Sequence, residues 1–124
     1  MLPLALACLA LCSIAADKKQ FSDAISAVEA NLKTPEGKRY DEQFGKELVP
    51  KFGPALKECK QSTSSGSKST FDIFLKLTAD GAVSEGLVHP ETPFAVCARA
   101  ALLKGKFSPP PRGEYWVNIH LELK

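Results

Sequence analysis

The chain has few of the residues that metal sites and redox centres require. Its 124 residues include only two histidines and four cysteines. Cys8 and Cys12 lie in an apolar N-terminal stretch, so the rest of the chain carries only Cys59 and Cys97. These two cysteines and the two separated histidines lack metal-ligand spacing, and no Cys-x-x-Cys motif suggests dithiol chemistry. We therefore expect neither a metal nor a cofactor.

The chain also lacks the motifs of nucleophilic catalysis. A serine or cysteine nucleophile needs a histidine base and an orienting acid, and no Gly-x-Ser-x-Gly turn is present. His89 is followed by Pro90, and His120 stands alone on the polar face of a predicted strand. The sequence thus predicts a protein that is not an enzyme.

A strong excess of either charge is absent as well. Sixteen basic residues oppose fourteen acidic ones, which gives a net charge of +2. Lys57, Lys60 and Lys68 are interspersed with Glu58 and serines, a pattern typical of a solvated face. Such a mild charge does not favour nucleic-acid binding.

The first sixteen residues contain no charged side chain and end in small residues that suit signal peptidase, Ser13-Ile14-Ala15-Ala16. The stretch is shorter than the roughly 20 apolar residues that span a bilayer, so a cleaved signal is favoured over a membrane anchor. We expect residues 1–16 to be removed after Ala15 or Ala16, and the protein to be periplasmic or secreted. The remainder suits one compact domain, residues 17–124.

In an exported protein, two cysteines most simply form one disulfide, here between Cys59 and Cys97. Closing that loop would stabilise the fold by about 4 kcal/mol in the chain-entropy model. The alternative is a pair of unpaired buried thiols.

Residues 17–54 have helical periodicity. Ile25, Val28 and Leu32 recur at helical spacing, and Thr34-Pro35 supplies an N-cap followed by a first-turn proline. An apolar stripe recurs every three to four residues after that start: Tyr40, Phe44, Leu48 or Val49, Phe52, Leu56 and Cys59. Pro50 and Pro54 are expected to kink or break this run into two pieces.

The C-terminal half alternates strand and helix patterns. Residues 71–77 and 83–89 predict a hairpin around Ala79-Asp80-Gly81, and residues 92–104 predict a helix begun by Thr92-Pro93. Four residues are expected on the inner face of that helix: Val96, Cys97, Ala100 and Leu103. Residues 115–124 alternate apolar and polar side chains, which predicts a last strand in a sheet covered on one side only.

The order of these motifs resembles the TonB C-terminal-like domains, and most closely the AgmX/PglI C-terminal family. The resemblance covers about residues 55–124. It rests on four segments: Leu56-Lys57-Glu58-Cys59, Leu75-Lys76-Leu77-Thr78-Ala79-Asp80-Gly81-Ala82-Val83, Val96-Cys97-Ala98-Arg99-Ala100 and Phe107-Ser108-Pro109-Pro110-Pro111. The helical segment 17–54 lies outside it.

The resemblance implies an α+β fold: a three-stranded antiparallel sheet with helices packed on one face, here preceded by N-terminal helices. It also implies the strand order second, first, third, with Cys59 and Cys97 joining two helices behind the sheet. The last strand would then be an edge that accepts a strand from a partner. Trp116, Asn118 and His120 are the hypothetical partner-binding residues, and an edge merely protected by Glu122 and Lys124 is the alternative.

The sequence therefore predicts an exported, non-enzymatic interaction domain of the cell envelope that binds an envelope or secreted protein through the edge or polar face of its sheet. Energy transduction is not expected, because no Pro-rich spacer precedes the domain. The alternative is a secreted structural or inhibitor-like module.

Overall fold

The computed structural model describes residues 18–63 and 69–123 as three helices and three strands. The helices are α1 (Lys18–Asn31), α2 (Pro35–Ser62) and α3 (Pro93–Leu102), and the strands are β1 (Ser69–Leu77), β2 (Val83–His89) and β3 (Tyr115–Leu123). The strands form one antiparallel sheet in the order β2-β1-β3. The predicted α+β class, strand number and strand order are confirmed. The predicted signal segment and the loop residues 64–68 lie outside the described residues.

Helix α2 is one continuous element of 28 residues. It begins at the predicted cap, where the Thr34 hydroxyl accepts from the amide of Gly37 at 3.0 Å. Pro50 and Pro54 were expected to kink or break this run, and the break is wrong, since both lie inside the helix. Both prolines are exposed, so water can hydrate the carbonyl groups that lose an intrahelical donor.

The first face of the sheet carries the main core. Helices α2 and α3 cover it, and a run of aromatic rings fills the space between α2 and the chain before β3. The Phe44 and Phe107 rings lie 4.4 Å apart, and those of Phe52 and Phe107 lie 5.3 Å apart. Ile73 and Leu75 of the central strand are fully buried here. This is the predicted apolar stripe of α2 packed against the sheet.

The proline-rich corner before β3 is fixed to α2 by polar contacts. The backbone amide of Ser108 donates to the Glu47 carboxylate at 3.0 Å, and the Tyr40 hydroxyl donates to the Ser108 carbonyl at 2.6 Å. Lys51 donates to the Lys106 carbonyl at 3.0 Å. These bonds, together with the Phe107 ring packing, hold the direction in which the chain enters β3.

Helix α3 faces the sheet with a different set of residues from the one predicted. Its buried residues are Phe94, Ala95, Ala98 and Leu102. Val96 and Leu103 are exposed, although Cys97 lies against the core as predicted. Helical spacing alone does not determine which side of α3 faces the sheet. The Phe94 ring determines this side, because it packs on Phe71 with ring centroids 5.3 Å apart.

The two cysteines outside the N-terminal stretch are paired. Cys59 of α2 and Cys97 of α3 form a disulfide with Cα atoms 5.7 Å apart, which confirms the predicted link between the two helices. The bond ties α3 to the longest of the described helices.

The sequence predicts a sheet covered on one side only, but its second face is covered in part as well. Helix α1 packs there in a small separate cluster: Phe21, Ala24, Val28, Phe74, Leu87 and Trp116. Ile25 and Leu32 are largely exposed. Of the three residues at helical spacing, only Val28 therefore packs on the sheet, and the aromatic residues that β1 and β3 present on this face bring Phe21 and Ala24 there as well.

Candidate functional site

The third strand forms one edge of the sheet along its whole length. All nine residues of β3 pair with β1, from Tyr115 opposite Leu77 to Leu123 opposite Ser69. The beginning of the outer edge is closed by a side chain from α1, because the Asn31 amide donates to the Trp116 carbonyl at 3.2 Å. Asn31 is itself buried and also accepts a hydrogen bond from Arg112.

Two hydrogen bonds show which residues of β3 point their backbone N–H and C=O groups away from β1. Alternate residues of a central strand bond to opposite neighbours. Thr78, directly after β1, donates to Ala82 on the β2 side at 2.9 Å. The even-numbered residues of β1 therefore bond towards β2, and its odd-numbered residues bond towards β3.

In β3, the even-numbered residues consequently point their backbone groups outwards. The bond from Asn31 to the Trp116 carbonyl agrees with this alternation. Beyond that capped position, the outward N–H and C=O groups belong to Asn118, His120 and Glu122. Among the residues that the structure describes, no further strand pairs with this edge. A row of backbone donors and acceptors is thus available for another chain.

The side chains of this segment form a polar row on the second face. His120 Nδ1 lies 2.9 Å from Asp72 on the adjacent strand, and His120 Nε2 lies 3.5 Å from Glu122. Asn118 donates to the same Asp72 carboxylate at 3.5 Å and to the Ile73 carbonyl at 3.4 Å. Hydrogen bonding to Asp72, reinforced by its charge and by Glu122, raises the pKa of His120. The row therefore places a readily protonated histidine between two carboxylates.

A groove of about 760 Å³ lies beside this row, between α1 and the sheet. Its floor includes Asp72 and Phe74, and Ile25 and His89 contribute to its walls. The Phe21 ring packs edge-on against both Phe74 and His89, at centroid distances of 6.4 and 5.9 Å. Because Asp72 belongs to both features, the groove and the polar row form one continuous surface, which we call the β3 surface.

The three residues predicted to bind a partner lie in different surroundings. Asn118 and His120 belong to the β3 surface. The Trp116 side chain packs in the α1 cluster and lies 5.6 Å below the Lys76 ammonium group, which also pairs with Glu85 at 2.9 Å. Trp116 thus contributes mainly to packing in this structure, at the boundary of the β3 surface.

The sequence pattern does not identify Asp72, Phe74 or the groove residues of α1 as site residues. Asp72 becomes significant only through the strand register that sets it opposite His120. One signal was available: Phe74 and Trp116 interrupt the polar faces of their strands. Two aromatic residues on a face otherwise polar indicate that something apolar covers part of it.

Two further classes of site can be stated for the described ranges. Within residues 18–63 and 69–123, no group of three histidine, cysteine, aspartate or glutamate side chains is arranged to hold a metal ion. None of the three described helices combines the length and the apolar character needed to cross a bilayer.

Comparison with family models, with curated proteins and with solved structures finds no match to this chain.

Proposed function

We propose that this protein is an exported, non-enzymatic interaction domain of the cell envelope, either periplasmic or secreted. It binds an extended segment of an envelope or secreted protein by strand addition at the outer edge of β3. The observation that carries the proposal is this edge, whose backbone groups at Asn118, His120 and Glu122 face outwards beyond the position capped by Asn31.

Strand addition suits this edge for physical reasons. An unpaired edge offers main-chain hydrogen bonds to any extended chain, and the alternate side chains of that chain then give specificity. Here the adjacent surface offers carboxylates and a histidine next to a groove whose lining combines apolar side chains such as Ile25 with polar ones such as Glu29. An added strand would lie beside Asn118 and His120, and its longer side chains could reach Asp72.

The resemblance to TonB C-terminal-like domains, and to the AgmX/PglI C-terminal family, supports the same reading. It rests on the two cysteine-bearing helix segments, the Asp-Gly hairpin and the proline-rich corner. Helix α1 belongs to the segment outside the resemblance, and it covers part of the second face of the sheet.

The proposal is tested by crosslinking in the cell that produces the protein. A photoreactive amino acid at Asn118 should give a discrete adduct that mass spectrometry identifies. Lys46 on the exposed side of α2 provides the matched control, because α2 covers the opposite face of the sheet. Equal adducts from both positions, or none from Asn118, would contradict binding at the β3 edge.

A further inference from the structure

We infer that the β3 edge accepts a second copy of this chain, with two β3 strands pairing antiparallel around a two-fold axis at Leu121. This inference rests on the proposed use of that edge and specifies one partner for it. The sheets of the two copies would then form one continuous sheet of six strands.

The backbone limits the registers that such a pair can adopt. The outward N–H and C=O groups belong to even-numbered residues, so these must lie opposite even-numbered residues of the other copy. Three two-fold registers satisfy this rule near the free part of the edge, with their axes at Ile119, His120 or Leu121.

Contacts at the start of β3 disfavour the register centred on Ile119. It would bring Trp116 opposite Glu122 of the second copy and would require the Trp116 backbone to pair. The Trp116 carbonyl already accepts from Asn31, and Arg112 lies against both Asn31 and the Tyr115 ring. A second strand can approach freely only beyond this point.

The charges that face each other then decide between the registers centred on His120 and on Leu121. An axis at His120 would set two histidines with raised pKa directly opposite each other. An axis at Leu121 instead sets His120 of each copy opposite Glu122 of the other, and the symmetry makes this pair twice. Each histidine would then lie between Asp72 of its own chain and a glutamate of the second copy.

The first face of the sheet is compatible with the same register. Leu121 is partly buried and packs at the margin of the main core. At the two-fold axis the two Leu121 side chains would face each other and cover their remaining exposed surface. The interface is small by the standards of stable dimers, so we expect a dissociation constant of about 10–100 µM.

The opposite edge of the sheet explains why pairing would stop at two copies. The beginning of β2 is occupied by the chain after α3, since Val83 donates to the Gly105 carbonyl at 3.2 Å and Phe107 donates to Gly81 at 2.9 Å. Because that edge is partly covered, β3 of one copy cannot readily pair with β2 of the next to build a filament. A two-fold contact between two β3 strands uses both free edges, so assembly ends at the dimer.

Sedimentation velocity of the signal-free chain over a concentration series tests the inference, with the variants H120E and E122K. H120E places two glutamates opposite each other, and E122K places lysine opposite histidine. Each variant alone should weaken the dimer by about tenfold or more, whereas an equimolar mixture should restore it, because both cross-strand pairs of the mixed dimer are attractive. K46E is the matched charge control and should dimerise like the wild type.

Thermal melts establish that each variant is folded before it is compared. A wild type that stays monomeric at about 500 µM, well above the expected dissociation constant, would overturn the inference. So would a dimer that E122K leaves unchanged, or a mixture that gains nothing over its components. If the protein is monomeric but Asn118 crosslinks to a different protein, only the pairing of two copies is contradicted. If it is monomeric and Asn118 gives no crosslinked product, the proposed function is contradicted as well.

Discussion

The two faces of the sheet are built in different ways. The first is covered by two helices joined through Cys59 and Cys97, and it encloses a continuous core of aromatic and aliphatic side chains. Of the described helices, α1 covers the second face, through a cluster centred on Phe74, and much of the rest is polar. Apolar burial and the covalent link are thus concentrated on one side. The polar row and the groove lie on the other side, next to the outer edge of β3.

The largest expected effect comes from removing an aromatic ring from the first face. Phe44→Ala should lower the free energy of unfolding by about 3–5 kcal/mol, because it leaves a cavity beside Phe107 and Tyr40. Urea denaturation measures the change. A loss below about 1 kcal/mol would show that the first face is not the main source of stability.

Loss of the disulfide should cause the second-largest decrease in the free energy of unfolding. Its cysteines are 38 residues apart, so Cys97→Ser should cost up to the ~4 kcal/mol of the chain-entropy model and lower the melting temperature by several degrees or more. Cys59→Ser is the matched variant and should give a similar loss. An unchanged melting temperature for both would mean that the bond does not stabilise the fold.

Removing an aromatic ring from the second face should lower the free energy of unfolding less than Phe44→Ala does. Phe74→Ala removes the centre of the α1 cluster, and we expect a cost of about 3 kcal/mol, the low end for this substitution because the cluster is small, with α1 loosened while the first face stays packed. Amide exchange should show faster opening in α1 than in α2. A loss larger than that of Phe44→Ala would reverse the comparison of the two faces.

The Glu47 contacts provide a pH-dependent test of the first face. Burial raises the pKa of Glu47, but hydrogen bonds from Ser108, Gln43 and Lys51 outweigh it and lower the pKa to about 2. The stabilisation is therefore present above the unfolded pKa of 4.5 and is lost as the pH falls through about 2. Glu47→Gln should cost about 1–2 kcal/mol at pH 7 and less at pH 3. A cost independent of pH would contradict this assignment.

The smallest effect on stability is expected at the polar row. Hydrogen bonding to Asp72 raises the pKa of His120, so the protonated form adds stability below the unfolded pKa and this is lost as the pH rises through the folded pKa. Asp72→Asn should move the His120 titration, followed by NMR, towards lower pH with little change in melting temperature. An unmoved titration would show that Asp72 does not hold the imidazole.

The sequence predicted elements well where local chemistry decides them. Thr34-Pro35 and Thr92-Pro93 begin helices as expected, and the Asp80-Gly81 turn closes the hairpin. Gly81 has a φ of 93°, and a Cβ there would lie 2.0 Å from the Phe107 carbonyl oxygen, so glycine is required.

What the sequence could not predict depends on tertiary contacts. Helical periodicity allows several rotations of a short helix, and the packing of Phe94 and Phe21 selected the ones observed for α3 and α1. Likewise, Asp72 and His120 are 48 residues apart, and only the register of β1 against β3 brings them together. Asn118 and His120 were predicted as site residues, but their carboxylate partner and the groove were not.

The central claim is that the outer edge of β3 is free and offers its even-numbered backbone groups. Residue-resolved amide exchange of the dilute protein tests this most directly. We predict fast exchange at Asn118, His120 and Glu122, slow exchange at Val117 and Ile119, and slowing of the fast set at high concentration as copies pair. Equal protection of both sets in the dilute protein would contradict the claim, because the edge would then already be covered.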